Sequence, residues 1–135
     1  MKRGFWHRIP ALLVAVAMVA VFLSACGGNS AASPPPKTNA DGSITYYLKA
    51  DNSKFDTSRI TVPAGAQITI AFNNAETVQH NFALYQDSTA ASAIFRGGYI
   101  GKTTTNYTFT APSQPGTYYF KCDLHPDMNG QFIVT

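Results

Sequence analysis

Three residues able to ligate a soft metal ion fall within seven positions, in the run Cys122-Asp123-Leu124-His125-Pro126-Asp127-Met128. A fourth candidate, His80, lies far upstream, and beyond Cys26 the chain has no other histidine, cysteine or methionine. A thiolate, two imidazoles and a thioether suit copper in both oxidation states, because soft sulfur stabilises Cu(I) while imidazole accepts Cu(II). Zinc would accept the cysteine and histidines, but thioether is a poor fourth ligand for it and closed zinc sites carry more cysteine. A c-type haem would need a second cysteine in a C-x-x-C-H arrangement, which is absent. Taken singly, each residue has a plainer meaning: His80 a core histidine, Cys122 an inert buried thiol, His125 before Pro126 a turn residue, Met128 packing. Taken together they point to one metal site, with Met128 the member another axial group could replace. Metal ligation also accounts for an unpaired thiol in an oxidising compartment.

Such a cluster needs a scaffold that joins distant segments. Past residue 42 the pattern has period two and is broken by frequent turns, which predicts an antiparallel β-sandwich of about seven strands and no long helix. Ile44, Tyr46 and Leu48 alternate with polar or exposed positions, as do Ile68, Ile70 and Phe72. Ile60 and Val62 precede the turn Pro63-Ala64-Gly65. Val78, His80, Phe82 and Leu84 are expected on one face, as are Tyr107 with Phe109, Tyr118 with Phe120 and Cys122, and Phe132 with Val134. Phe120 and Cys122 then point inward at a strand end, a tight loop returns His125 and Met128, and His80 arrives from another strand. The stretch 86–102 breaks the alternation and reads as a loop excursion, with Ser88 to Phe95 a possible short helix after a Ser/Thr cap.

The first residues belong to targeting. Lys2, Arg3 and Arg8 precede an apolar run from Ala11 to Leu23, 13 residues against the ~20 of a spanning helix. Leu23-Ser24-Ala25-Cys26 resembles the lipobox of bacterial lipoproteins, so 1–25 is expected to be a signal peptide and Cys26 the lipidated new N-terminus. Residues 26–42, rich in Gly, Ser, Asn and Ala with Pro34-Pro35-Pro36, form a flexible tether, and 43–135 form the domain. From Cys26 onward seven basic residues balance seven acidic ones, so the high calculated pI belongs to the signal and no nucleic-acid partner is implied. The expected location is extracytoplasmic, anchored on the periplasmic side or outer face of a membrane.

The segments Val78-Gln79-His80-Asn81, Pro115-Gly116-Thr117-Tyr118-Tyr119-Phe120-Lys121-Cys122 and the C-x-x-H-x-x-M loop resemble those of the cupredoxin family, which includes plastocyanin, pseudoazurin and amicyanin. The likeness covers about residues 43 to 135, and the loop spacing is closest to that of amicyanin. It implies a Greek-key β-sandwich of seven to eight strands and a type 1 copper centre. His80, Cys122 and His125 would be equatorial ligands and Met128 the long axial one. Asn81 is a further site candidate, since family asparagines at its place often hydrogen-bond to the cysteine loop, which would orient the His80 strand and tune the sulfur; strict alternation, which puts it opposite His80, offers a plain surface residue instead. The resemblance implies a one-electron carrier for transient redox protein partners, with the His125 edge as the exit route, and the chain is expected to be a monomer. Copper storage, delivery or sensing is the other reading. An enzyme of the multicopper oxidase or nitrite reductase kind would need histidines this chain lacks.

Overall fold

The structure, a computed structural model, describes residues 33–135. The expected signal peptide, lipidated Cys26 and the first part of the tether lie outside the described residues.

Ten strands and no helix make up the described residues: β1 (Lys37–Thr38), β2 (Ile44–Asp51), β3 (Lys54–Phe55), β4 (Arg59–Val62), β5 (Gln67–Asn74), β6 (Ala83–Tyr85), β7 (Ala93–Arg96), β8 (Thr103–Thr110), β9 (Gly116–Lys121) and β10 (Asn129–Val134). One sheet has the order β1-β2-β5-β8 with β3 on β2, and the other has the order β4-β10-β9-β6-β7. The sheets are mixed rather than purely antiparallel, since β2 pairs β5 and β4 pairs β10 in parallel. Residue alternation specifies which face is buried and carries no information on strand direction. Pairing also begins inside the segment read as tether, where Lys37 and Thr38 pair with Thr45 and Ile44.

Alternation builds the core. Ile68, Ile70 and Phe72 of β5 are buried with Leu48 and Ala50 of β2, and the opposite sheet supplies Ile60, Val62, Tyr118, Phe120, Phe132 and Val134. Burial of each such large side chain contributes roughly 1.5–3 kcal/mol. Aromatic rings form its centre: Phe82 stacks on Phe120 at 5.5 Å and on Phe109 at 5.9 Å, and Phe95 stacks on Phe109 at 4.7 Å. Phe120 is therefore packed from several sides two residues before Cys122.

The proposed helix from Ser88 to Phe95 is a turn followed by β7, because the Asp87 carboxylate accepts from the Thr89 amide and hydroxyl and Ala90 has φ 55°. Those local bonds offer the backbone an alternative to a helix. The common face of Val78, His80, Phe82 and Leu84 also fails: Val78 is exposed, while every residue from His80 to Tyr85 is buried. The outward side of that segment is covered as well, since Asn81 bonds to Gly97 and Asp123 and Arg96 lies 5.5 Å over the Tyr85 ring, while Ile100 pairs with His80 through two backbone bonds of 2.9 and 3.0 Å. The 86–102 excursion is thus part of the scaffold. Gly97 permits it, since a Cβ there would lie 2.6 Å from the Tyr107 ring.

Candidate metal centre

Cys122 follows the last residue of β9, and the loop after it closes on itself. The Cys122 amide donates to the Met128 carbonyl at 2.9 Å and the Met128 amide to the His125 carbonyl at 3.0 Å. β10 starts at the next residue. His80 reaches the same place from the segment before β6, fixed by its backbone pairing with Ile100 and by Asn74, whose Nδ2 donates to the carbonyls of Val78 and Ile100 at 2.7 and 2.8 Å.

These elements bring Cys122 Sγ to 3.7 Å from His80 Nδ1 and 3.6 Å from His125 Nδ1. All three ligand atoms lie within 4.8 Å of one another, and the imidazole centroids are 4.5 Å apart. A metal ion bonded to nitrogen at ~2.0 Å and to sulfur at ~2.3 Å, about 120° apart, would hold nitrogen and sulfur roughly 3.7 Å from each other. The donors therefore stand at the separations of a trigonal site for one ion, with two imidazole nitrogens and one thiolate sulfur at its corners. His80 and Cys122 are fully buried, whereas His125 is partly exposed. Met128 is buried and joins the cluster's loop through both backbone bonds.

Asn81, 1 % exposed, is no surface residue. Its Oδ1 accepts from the Asp123 amide at 2.8 Å, and its Nδ2 donates to the Gly97 carbonyl at 3.0 Å and to Asp123 Oδ2 at 3.1 Å. The residue after Cys122 is thereby tied to the residue after His80. Asp123 is held further by Tyr85, whose hydroxyl donates to Oδ1 at 2.5 Å, and by Arg96, whose Nε lies 3.3 Å from Oδ2. Burial pushes the Tyr85 hydroxyl above its ordinary range and its bond to Asp123 adds to this, so it stays a donor. On the other flank, burial and then the charge of Cys122 push the Tyr107 hydroxyl up to about 12, keeping it protonated toward the Gly98 carbonyl.

Asp123, Tyr85 and Arg96 carried no sequence signal of a shared role, being spread over three strands or loops. Glu76 was also missed, although its Oε1 lies 2.8 Å from His80 Nε2. The general tendency of ligating histidines to donate their second N–H to a carboxylate was the available clue. Removing the amide in Asn81→Ala should destabilise the fold by about 2–3 kcal/mol, since two buried backbone groups lose their partner. Denaturant unfolding measures it, and a loss well below 1 kcal/mol would show that Asn81 does not brace the loop.

Comparison with known proteins agrees with this geometry. A family model for a cupredoxin-like domain matches residues 13–134. Auracyanin-A of Chloroflexus aurantiacus is 32 % identical across 99 % of this chain and 99 % of its own. Among solved structures, auracyanin A, described as a "blue" copper protein from that green thermophilic photosynthetic bacterium, superposes with a TM-score of 0.61 at 27 % identity, covering 70 % of this chain and all of the other. Dithionite-reduced auracyanin from Roseiflexus castenholzii gives 0.61 at 27 % identity over 67 % of this chain and 96 % of that one. Amicyanin from Paracoccus versutus gives 0.53 at 27 % identity over 75 % and 92 %.

Proposed function

The chain belongs to the cupredoxin-like family, and from that premise we propose that it is a one-electron carrier with a mononuclear type 1 copper centre, which His80, Cys122 and His125 would hold together with Met128. The observation that carries the reading is the convergence of one sulfur and two Nδ1 atoms at 3.6–3.7 Å on a buried, hydrogen-bonded frame. Copper, when bound, supplies the Cu(II)/Cu(I) couple. The chain's own residues do the rest. Cys122 would supply the thiolate and His80 and His125 the imidazoles, and the ties of Asp123 to Asn81 and of Ile100 to His80 would keep the donors at one spacing. A site that need not rearrange on electron gain exchanges electrons with little reorganisation. No substrate is turned over there in this reading.

His125 offers the path outward, because it is the ligand with an exposed edge. Beside it Leu124 is 46 % exposed. A transient redox partner would dock there through a small interface. Leu124→Glu should slow electron exchange with a partner severalfold while leaving the visible spectrum unchanged, because the side chain lies outside the donor set. The lipid on Cys26 would confine the carrier, as a monomer, to an extracytoplasmic membrane surface.

Voltammetry of the copper-loaded chain, paired with a chelator challenge, tests the reading. A reversible one-electron wave with slow copper loss is expected. Ready transfer of copper to the chelator without such a wave would assign the site to copper delivery or storage instead.

A further inference from the structure

Glu76 stands four residues before His80 in a segment without helix, so nothing in the local geometry obliges the two to meet. They meet nonetheless: Glu76 Oε1 lies 2.8 Å from His80 Nε2, with His80 wholly buried and the Glu76 side chain 22 % exposed. The same oxygen accepts from the Ser53 amide at 2.8 Å. Ser53 and Asn52, with φ of 51° and 52°, form the two-residue turn joining β2 to β3, the geometry of a hairpin turn with both central residues left-handed. The other end of Glu76 is fixed too, since its amide donates to Asn74 Oδ1 at 3.0 Å and Asn74 is the residue that braces Val78 and Ile100. The carboxylate is therefore placed by the hairpin turn on one side and by the end of β5 on the other.

An acceptor at Nε2 has a chemical consequence at the opposite nitrogen. The His80 proton resides where the carboxylate accepts it, which leaves the Nδ1 lone pair directed to the side where Cys122 Sγ lies 3.7 Å away. A negative group 2.8 Å behind the ring also favours binding of the more highly charged ion at the opposite nitrogen. We propose that Glu76 is a positioning residue for the copper centre: it fixes the tautomer and orientation of His80 and biases the couple toward Cu(II). This rests on the type 1 copper reading for its redox part, and on the protein alone for its tautomer part.

The test uses the full chain with Glu76→Ala and Glu76→Gln. In the copper-loaded protein Glu76→Ala should lower Cu(II) affinity about tenfold relative to Cu(I), the lower end of what such outer partners contribute. That corresponds to a reduction potential ~59 mV higher for a one-electron couple. Glu76→Gln, which keeps an acceptor oxygen and loses the charge, should move the potential in the same direction and retain the tautomer. In the metal-free wild-type chain, nitrogen NMR should find the His80 proton on Nε2, and Glu76→Ala should lose that preference. A blue wild-type protein whose potential is unchanged in Glu76→Ala overturns the redox part, and a wild-type proton on Nδ1 overturns the whole assignment. A wild-type chain that forms no blue copper centre overturns the carrier reading instead, and the NMR result then decides the role of Glu76.

Discussion

Copper affinity is expected to fall by more than about 100-fold in Cys122→Ser, with loss of the reversible redox wave. Partners outside a metal's ligand set already contribute 10–100-fold, so deletion of the only thiolate should cost at least the upper end of that range. Serine is isosteric but presents a neutral, hard oxygen that does not stabilise Cu(I). The fold should survive the change. Cys122 is 0 % exposed and packed in the core, so a hydroxyl in its place should destabilise the metal-free chain by about 1–3 kcal/mol. Chelator competition and voltammetry measure the first effect, and unfolding measures the second. A serine variant that keeps near wild-type affinity would mean that the sulfur is a core atom and that copper sits elsewhere.

Gly130→Ala should be among the most destabilising single-methyl changes in the chain, by about 2–3 kcal/mol. A Cβ at that position would lie 2.5 Å from Phe120 Cζ and 2.5 Å from the Ser58 carbonyl oxygen. The ring could tilt only by disturbing its packing against Phe82 and Phe55, at centroid distances of 5.5 and 5.6 Å. The carbonyl belongs to the backbone and accepts from the Gln131 amide at 2.9 Å, so it cannot move without loosening the start of the β10 pairing with β4. For a domain of this size the loss should lower the melting temperature by about 10–20 °C. Gly98→Ala is the control, because nothing lies within 4 Å of the added methyl. Equal melting temperatures for the two variants would show that β9 and β10 do not approach as closely as described.

How far the molecule could be read from its residues follows from which interactions are local. Cys122, His125 and Met128 share one short loop, so spacing alone placed them together, and the inward alternation of Phe120 and Cys122 gave the loop its direction. His80 was legible only because its type was rare, since the face predicted for it with Val78 does not exist. It is held instead by its pairing with Ile100, a contact from the 86–102 excursion that periodicity does not report. The same blind spot hid the parallel pairings of β2 with β5 and β4 with β10. For Asn81 the surface alternative from strict alternation fails, because the chain around it is covered on both faces, while its bonds to Asp123 lie where the resemblance put them. Glu76 was invisible for a further reason: what aims it at His80 is a hairpin turn more than twenty residues upstream. The turn after Asp87 was misread because the Asp and Thr side chains that cap helices also satisfy the backbone of tight turns.

The claim that everything functional depends on is that one sulfur and two imidazoles bind a single copper ion as a type 1 centre. Titrating the metal-free full chain with Cu(II) while recording the visible absorption spectrum tests it most directly. An intense band near ~600 nm that saturates at one equivalent of copper is the predicted result. Stoichiometric copper uptake with only faint visible absorption would contradict it, since a buried Cys122 thiolate bonded to Cu(II) in a trigonal site could not be colourless.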